Sequence, residues 1–302
     1  MIKPQNIIKG NTIGVVSTAR KISLKEINPA IEILESWGLK VVVGNTIGME
    51  DNQYAGTDEQ RLEDLQWMLD DPEIHAIVCA RGGYGTVRII DKINFDSFVK
   101  KPKWICGFSD VTVLHSHINK NIHIETIHSA MLVNFPKDKT ENIATETLRK
   151  ALFGEPLAYT VPNHALNRKG VANGEIIGGN LSLIYGLTGS VSDIDTNDKI
   201  LFIEDLDEYL YHIDRMMKNL KRSGKLSNIK GLIVGGMTEM KDNAIPFGKN
   251  AEEIILDAVK EYAYPVCFDF PAGHLHANSA LIMGREVCFE VDDKVHLRFN
   301  SR

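Results

Sequence analysis

The chain has 302 residues, of which 43% are hydrophobic and 25% charged, a composition typical of a globular protein with one or two domains. Its formal net charge of −6 argues against a nucleic-acid partner. No apolar run approaches the roughly 20 residues that span a bilayer, and the first residues lack the apolar segment of a signal peptide. The four cysteines are scattered, without a C-x-x-C pair, and we expect buried thiols. These features predict a soluble, cytoplasmic protein without membrane or nucleic-acid partners.

The first half of the chain alternates short apolar runs with amphipathic patterns. Predicted strands are Thr12–Ser17, Val41–Val43, Ile74–Cys79 and the run that begins at Trp104, and predicted helices are Leu24–Trp37 and Asp58–Asp70. Short apolar strands separated by helices indicate a parallel sheet that is covered on both faces. Ligands of such sheets bind at the carboxyl ends of the strands, so the loops that follow the strands are the first places to look for a site.

A glycine-rich loop, Arg81–Gly85 (RGGYG), follows the third predicted strand. It matches neither the P-loop pattern nor the G-x-G-x-x-G pattern of dinucleotide-binding loops. Glycine amides that no side chain shields can approach a substrate carbonyl closely. The N–H of Gly83 is therefore a candidate hydrogen-bond donor to a reacting carbonyl oxygen.

The segment Gly107–Asp110 (GFSD) leads from the fourth strand into a helix-like pattern. A serine on such a sharp turn projects its hydroxyl away from the sheet, and the next N–H lies at a helix N-terminus, where an oxyanion can be held. Ser109 is thus a candidate nucleophile, and the N–H groups of Gly83 and Asp110 would form a two-donor oxyanion hole. The alternative is that Ser109 only caps the helix, since Val111 replaces the second glycine of G-x-S-x-G.

The stretch Phe153–Gly174 breaks the periodicity with prolines and glycines, which indicates a crossover between two domains. We predict an N-terminal domain over residues 1–155, a linker over 156–173 and a C-terminal domain over 174–302. Predicted strands of the second half are Ile200–Ile203, Gly231–Gly236, Pro265–Phe270, Ala280–Met283, Val287–Val291 and Val295–Phe299, and its predicted helices are Leu181–Leu187, Asp207–Leu220 and Asn250–Tyr262.

A catalytic serine needs a base and a carboxylate that orients the base. His274 lies in a tightly turned Gly- and Pro-containing loop after a strand, where functional residues tend to occur, and His276 is a close rival. Glu204 and Asp205 directly follow an apolar strand, so we expect them at its carboxyl end, with a solvent-exposed strand terminus as the alternative. The order Ser109, Glu204, His274 is that of the α/β-hydrolase arrangement, although order alone is weak evidence.

Taken together, these motifs resemble the LD-carboxypeptidase family of serine peptidases, which includes the microcin C immunity peptidases. The matching segments occur in the family's order: ARGGYGTVRII from Ala80, ICGFSDVTVLH from Ile105, GEIIGGNLSLIYGLTGS from Gly174, ILFIEDLDEYLYHIDRMMKNLKRSG from Ile200 and FPAGHLHAN from Phe270. The chain departs from the family at two places, with His128–Ala130 where His-Gly-Pro is common and Leu281–Gly284 where Leu-Pro-Ile-Gly is common. Both departures concern pocket shape, so they leave the choice of substrate open.

The resemblance implies a triad of Ser109 as nucleophile, Glu204 as orienting acid and His274, which directly follows the glycine as in the family, as base. It implies an oxyanion hole formed by the backbone N–H groups of Gly83 and Asp110. It also implies an α/β fold, with a flavodoxin-like parallel-sheet N-terminal domain and a smaller α/β C-terminal domain, in a homodimer. No cofactor and no metal are expected.

The leading hypothesis from the sequence is a serine carboxypeptidase that removes the terminal D-alanine of murein tetrapeptides across an L,D bond during cell-wall recycling. Such an enzyme must recognise a free carboxylate, and Arg81 is a candidate for this contact, with a structural role as the alternative. One rival function is hydrolysis of peptidyl- or aminoacyl-nucleotide toxins by the same triad. Another is a non-catalytic ligand-binding protein of the same fold.

Overall fold

The computed structural model describes residues 1–300, which form an α/β fold with two sheets. The strands are β1 (Thr12–Val16), β2 (Lys40–Val43), β3 (Ile74–Cys79), β4 (Trp104–Gly107), β5 (Thr126–His128), β6 (Ala158–Pro162), β7 (Gly170–Asn180), β8 (Ile200–Leu206), β9 (Gly231–Thr238), β10 (Val266–Cys267), β11 (Leu281–Met283), β12 (Glu286–Val291) and β13 (Lys294–Phe299). The α-helices are α1 (Leu24–Ser36), α2 (Asp58–Asp70), α3 (Asp96–Lys100), α4 (Thr112–Asn121), α5 (Ile143–Phe153), α6 (Leu181–Leu187), α7 (Leu210–Arg222) and α8 (Ala251–Val259).

The first sheet has the strand order β11-β5-β4-β3-β1-β2. Its strands β1 to β5 are parallel, and β11 pairs antiparallel with β5. The parallel order 2-1-3-4-5 is that of a flavodoxin-like sheet, whose ligand crevice lies outside the carboxyl ends of β1 and β3, where the strand order reverses. The predicted fold class, α/β with a flavodoxin-like sheet and a second α/β part, is confirmed.

The second sheet has the order β10-β9-β8-β7-β12-β13-β6. Strands β7 to β10 are parallel, whereas β12, β13 and β6 are joined by antiparallel pairing. One cluster of buried apolar side chains contains residues of both sheets, among them Val15, Cys106, Phe202 and Phe289. The two sheets therefore share a hydrophobic core. No helix within residues 1–300 is long and apolar enough to cross a membrane.

Helix starts follow the local sequence closely. Ser23 and Glu26 form a capping box at α1, and Thr57 and Gln60 form one at α2, so the first unpaired N–H groups of both helices are satisfied by side chains. The prediction of buried thiols is confirmed for Cys79, Cys106 and Cys267, while Cys288 is half-buried. Burial raises the pKa of the Cys79 thiol to about 12, so this thiol is not a reactive group.

Several predicted bounds in the second half were wrong. Strand β8 continues to Leu206 because its two carboxylates have buried partners, and α7 begins at Leu210 instead of Asp207. Of the predicted strand Pro265–Phe270, only Val266–Cys267 pairs with β9. The division into domains stays a prediction: residues 156–173 hold β6 and the start of β7, and β11 of the second half completes the first sheet.

The two sheets approach each other closely where β7 ends. Gly179 has a φ of +140°, and a Cβ there would lie 2.5 Å from Oγ1 of Thr112, the first residue of α4. The N–H of Asn180 donates a hydrogen bond of 3.0 Å to the same Oγ1. The helix that follows Ser109 is therefore held directly against the end of β7, and glycine is what allows this contact.

We expect Gly179→Ala to lower the free energy of unfolding by about 2 kcal/mol or more, because alanine combines an unfavourable φ with a clash against Thr112. Urea unfolding followed by circular dichroism measures the change. Gly186→Ala is the matched control, since a Cβ at this position in α6 meets nothing within 4 Å. In this helix the same substitution is expected to be neutral or slightly stabilising. If the two variants lowered the free energy of unfolding equally, the close contact between Gly179 and Thr112 would be contradicted.

Candidate active site

Ser109 lies at the carboxyl end of β4, in the first position of a short 3-10 turn, Ser109–Val111, that leads into α4. Its φ of +60° is in the left-handed region, which is strained for a residue with a side chain and is characteristic of a nucleophile turn. Gly107 has a φ of +153°, and a Cβ there would lie 2.8 Å from Val111. The sharp turn predicted from the sequence is therefore present, with a half-buried serine at its apex.

The glycine-rich loop lies directly against Ser109. A Cβ on Gly82 would lie 3.1 Å from Cβ and 3.3 Å from Oγ of Ser109, so this side of the serine is free only because residue 82 is glycine. Gly83 follows, exposed and with a φ of +121°. Within residues 1–300, neither the N–H of Gly83 nor the N–H of Asp110 donates a hydrogen bond to the protein. Neither amide is therefore used within the protein; Gly83 is exposed, whereas Asp110 is fully buried.

The carboxyl group of Asp110 has a role that the sequence did not indicate. Its Oδ2 accepts a hydrogen bond of 2.8 Å from the N–H of Thr86, at the far end of the glycine-rich loop. Burial raises the pKa of this carboxyl group, which is fully enclosed. Asp110 therefore ties the loop of β3 to the serine turn of β4, in addition to offering its own N–H.

Arg61 is a second residue that sequence reasoning missed. Its fully buried guanidinium donates hydrogen bonds of 2.7 Å to the carbonyl oxygen of Thr18 and 3.0 Å to that of Gly85, and it pairs with Asp58. It thereby fixes the glycine-rich loop to the segment after β1. The available signal was position: Arg61 lies four residues before Leu65 on the buried face of α2, where a charged side chain needs partners.

His274 and Glu204 form a buried pair. Nδ1 of His274 lies 2.6 Å from Oε2 of Glu204, and the N–H of His274 donates to the same oxygen at 3.1 Å. Glu204 is completely inaccessible to solvent. A Cβ on Gly273, whose φ is +100°, would lie 2.6 Å from that oxygen, so a glycine must precede the histidine. This hydrogen bond fixes the orientation of the imidazole ring. Nε2 is the ring nitrogen that Glu204 does not contact.

The electrostatic environment of His274 favours a charged imidazolium. Burial lowers its pKa, but the hydrogen bond from Nδ1 and the charge of Glu204 raise it more, so the pKa lies above the ordinary value of 6.5. A carboxylate that stabilises the imidazolium is what a general base requires when it takes up a proton.

Asp205 is also buried, but it points away from His274. It accepts hydrogen bonds of 2.9 Å from Nδ2 of Asn180 and from the N–H of Ser182, in the first turn of α6. Burial and the neighbouring charge of Glu204 raise its pKa to about 7. The alternative that Glu204 and Asp205 end the strand in solvent is therefore wrong.

Phe108, which precedes the serine turn, and His274 line one cavity; Ser109 itself is not among its lining residues. The ring centroids of Phe108 and His274 are 4.7 Å apart, so the residue that precedes Ser109 packs on the imidazole. A cavity of about 340 Å³ opens beside this contact, lined by Phe108, Ala130, Asn134, Ala144, Leu206, His274, Leu275, His276 and Asn278. His276, the rival candidate for the base, is exposed at this cavity. The hydrogen bond with Glu204 is made by His274.

The side chain of Arg81 contacts residues at and just before the start of α1. Its Nη1 lies 3.4 Å from the carbonyl oxygen of Lys21 and 4.0 Å from Oε1 of Glu26, so its guanidinium already has partners in the protein. None of the nine residues that line the cavity is a lysine or an arginine. Recognition of a substrate carboxylate by Arg81 stays a prediction.

Comparison with known proteins places the chain in a family. Residues 13–129 match the model of the LD-carboxypeptidase N-terminal domain, and residues 173–289 match that of the LD-carboxypeptidase C-terminal domain. The chain is 35% identical over 299 residues to the probable murein peptide carboxypeptidase of Bacillus subtilis, an alignment that covers 97% of this chain and 92% of that protein.

Two solved structures share the fold. The muramoyltetrapeptide carboxypeptidase from Oxalobacter formigenes aligns with a TM-score of 0.88 at 22% identity, covering 96% of this chain and 99% of that one. The microcin C7 self-immunity protein MccF, in complex with aspartyl sulfamoyl adenosine, aligns with a TM-score of 0.88 at 22% identity and covers 99% of both chains.

A parallel α/β fold that sets a strained serine turn beside a buried histidine–carboxylate pair is typical of serine hydrolases. Since the two family models together match most of its length, the chain belongs to the LD-carboxypeptidase family and is a serine-type carboxypeptidase.

Proposed function

We propose that this carboxypeptidase hydrolyses the L,D peptide bond before the terminal D-alanine of murein tetrapeptides, with Ser109 as nucleophile, His274 as base and Glu204 as orienting acid. The observation that carries the proposal is the hydrogen bond between the half-buried His274 and the fully buried Glu204, beside the turn that presents Ser109. The substrate is supported by the name of the Bacillus subtilis relative, a probable murein peptide carboxypeptidase.

In the proposed reaction, Nε2 of His274 takes the proton of the Ser109 hydroxyl while Oγ attacks the scissile carbonyl carbon. The N–H groups of Gly83 and Asp110 hold the negative oxygen of the tetrahedral intermediate. When the C–N bond breaks, the imidazolium of His274 gives its proton to the amine of D-alanine, which leaves. Water, deprotonated by the same imidazole, then attacks the ester on Ser109. As the ester C–O bond breaks, the imidazolium returns this proton to Oγ, which restores the Ser109 hydroxyl and releases the tripeptide with a new carboxylate.

The pH dependence follows from the base. We expect kcat/KM to rise with pH through the pKa of His274, because only the neutral imidazole accepts the serine proton. Since Glu204 holds this pKa above 6.5, the acidic limb should have its midpoint above pH 6.5. In Glu204→Gln the charge of Glu204 is lost and only the smaller contributions of Asp205 and Glu239 oppose burial, so the midpoint should move down. A profile with the same midpoint in both proteins would contradict the roles of this pair.

A nucleotide-linked substrate is the second candidate, because MccF shares the fold and was solved with aspartyl sulfamoyl adenosine. An adenine ring is commonly held by aromatic stacking. No tryptophan lines the cavity: Trp104 is fully buried, Trp37 packs against Phe135, and Trp67 is exposed on α2. Phe108 and His276 are aromatic residues that do line the cavity, so its lining does not favour either substrate class.

The substrate class can be tested by incubating the purified protein with murein tetrapeptide and, separately, with aspartyl sulfamoyl adenosine. Release of D-alanine by the wild type and its loss in Ser109→Ala are expected. Turnover of the nucleotide substrate alone would replace the peptide proposal, and cleavage of neither substrate would support the non-catalytic alternative.

Adding EDTA to the peptide assay tests the prediction that no metal is needed. Gel filtration with light scattering tests the predicted homodimer.

A further inference from the structure

Arg20 is an exposed cation in the loop that follows β1. In the 2-1-3-4-5 order of this sheet, ligands bind outside the carboxyl ends of β1 and β3. The loop after β3 is the glycine-rich loop, which lies against Ser109. Arg20 therefore lies in the crevice where the topology places a ligand. It faces the glycine-rich loop, which follows the neighbouring strand β3.

The aliphatic part of Arg20 covers Gly83. A Cβ on Gly83 would lie 2.4 Å from both Cγ and Cδ of Arg20, and the N–H of Arg20 points to the carbonyl oxygen of Gly82 at 3.4 Å. Gly83 offers one of the proposed oxyanion donors, and Gly82 touches Ser109. The guanidinium at the end of this side chain is thus held close to the place where the scissile carbonyl would lie.

The guanidinium of Arg20 is free to bind a ligand. Among the described residues it makes neither a hydrogen bond nor an ion pair, whereas Arg81 contacts Lys21 and Glu26. The neighbouring cation, Lys21, is paired with Glu50. The cavity beside His274 holds no lysine or arginine, so it lacks a cation for a substrate carboxylate.

We propose that Arg20 binds the C-terminal carboxylate of the peptide substrate and so makes the enzyme a carboxypeptidase. The inference rests on the proposed function. In a peptide, the carboxylate carbon of the leaving residue lies within about 4 Å of the scissile carbonyl carbon, as three bonds separate them. An arginine fork whose stem lies over Gly83 fits this separation, and it binds a carboxylate through two parallel hydrogen bonds.

The test uses four variants and two substrates. Arg20→Met keeps an unbranched stem over Gly83 and removes the charge, and Arg20→Lys keeps the charge without the fork. Arg81→Met tests the other candidate for this contact, and Lys21→Met, which removes the neighbouring cation that is paired with Glu50, is the matched control. The substrates are the murein tetrapeptide and the same peptide with a C-terminal amide. Release of D-alanine or D-alaninamide gives kcat and KM, and labelling of Ser109 by a fluorophosphonate confirms that each variant retains a reactive serine.

For the free acid, Arg20→Met is expected to lower kcat/KM by about 10- to 100-fold, mostly through KM, and Arg20→Lys by less. For the amide, wild type and Arg20→Met should differ by less than about threefold, because the carboxylate that Arg20 binds is absent. Lys21→Met should change the turnover of neither substrate.

Equal losses on acid and amide would overturn the inference, since they would mean that Arg20 only shapes the loop. An unchanged Arg20→Met, or a loss that appears in Arg81→Met instead, would overturn it as well. A wild type that releases D-alanine while Arg20→Met is unchanged leaves the proposed function intact. A wild type that does not cleave the tetrapeptide contradicts the proposed function, and the role of Arg20 falls with it.

Discussion

Ser109→Ala is expected to reduce kcat for D-alanine release by about 10⁴-fold or more, the size of effect seen when the nucleophile of a serine peptidase is removed. The hydroxyl is the atom that forms the acyl-enzyme, so the loss should appear in kcat, with KM little changed. The assay is D-alanine release from murein tetrapeptide at saturating substrate. Residual activity from the oxyanion donors alone can remain.

Ser116→Ala is the control for this variant. Ser116 is buried in α4, and its Oγ has no hydrogen-bond partner among residues 1–300, so removing that hydroxyl should leave kcat within about threefold of wild type. Urea unfolding checks that both variants are folded. A folded Ser109→Ala variant with near-normal kcat would mean that the strained turn at Ser109 has another purpose.

Glu204→Gln is expected to lower kcat by about 10³- to 10⁴-fold. Two things are lost: the charge that stabilises the imidazolium of His274, and the acceptor that holds the Nδ1–H tautomer in place. The N–H of His274 donates to the same carboxylate oxygen, so the loop also loses part of its anchor. Because the substrate does not contact the buried Glu204, KM should change much less than kcat.

The matched control is Asp269→Asn, which removes the carboxylate from a second His–carboxylate contact. Oδ2 of Asp269 lies 3.7 Å from Nε2 of His164, and Asp269 is exposed. This variant should keep kcat within about threefold of wild type. If it lost as much activity as Glu204→Gln, the loss in Glu204→Gln would reflect a general loss of charge in the second sheet and not the pair with His274.

The strands and helices of the first half could be predicted from the sequence because local patterns determine them. Each of β1, β3 and β4 is a mostly apolar run, with Thr12 in β1 and His75 in β3 as the polar residues. Helix α2 starts at a capping box, and its predicted and observed bounds coincide. Strand β5 was missed because it has three residues, Thr126–His128, and is defined by its two neighbours in the sheet.

The end of β8 could not be predicted because burial of a charge depends on distant partners. Glu204 and Asp205 were predicted at the carboxyl end of the strand, with a solvent-exposed end as the alternative. Each is buried against a group far away in the sequence, His274 for one and Asn180 for the other. The serine turn, in contrast, is a local feature, and its positive φ follows from the Gly-Phe-Ser-Asp sequence between a strand and a helix.

The arginines show the same limit. The local sequence marks only Arg61, as a charge on the buried face of α2, and it gives the partners of none of the three arginines. The structure shows that Arg61 holds the glycine-rich loop, Arg81 contacts α1 and the preceding loop, and Arg20 is left free above Gly83. These assignments depend on which loops the sheet order brings together, and that order is a property of the whole domain. A cytoplasmic location stays a prediction.

The most direct test of the central claim, that Ser109 is the nucleophile, is to follow covalent labelling and activity together. The protein is titrated with a fluorophosphonate, the labelled residue is identified by peptide mass spectrometry, and D-alanine release from murein tetrapeptide is measured on the same samples. We predict that activity falls in proportion to the label and that the label is on Ser109. Full activity with Ser109 completely labelled, or loss of activity with the label on another residue, would contradict the account.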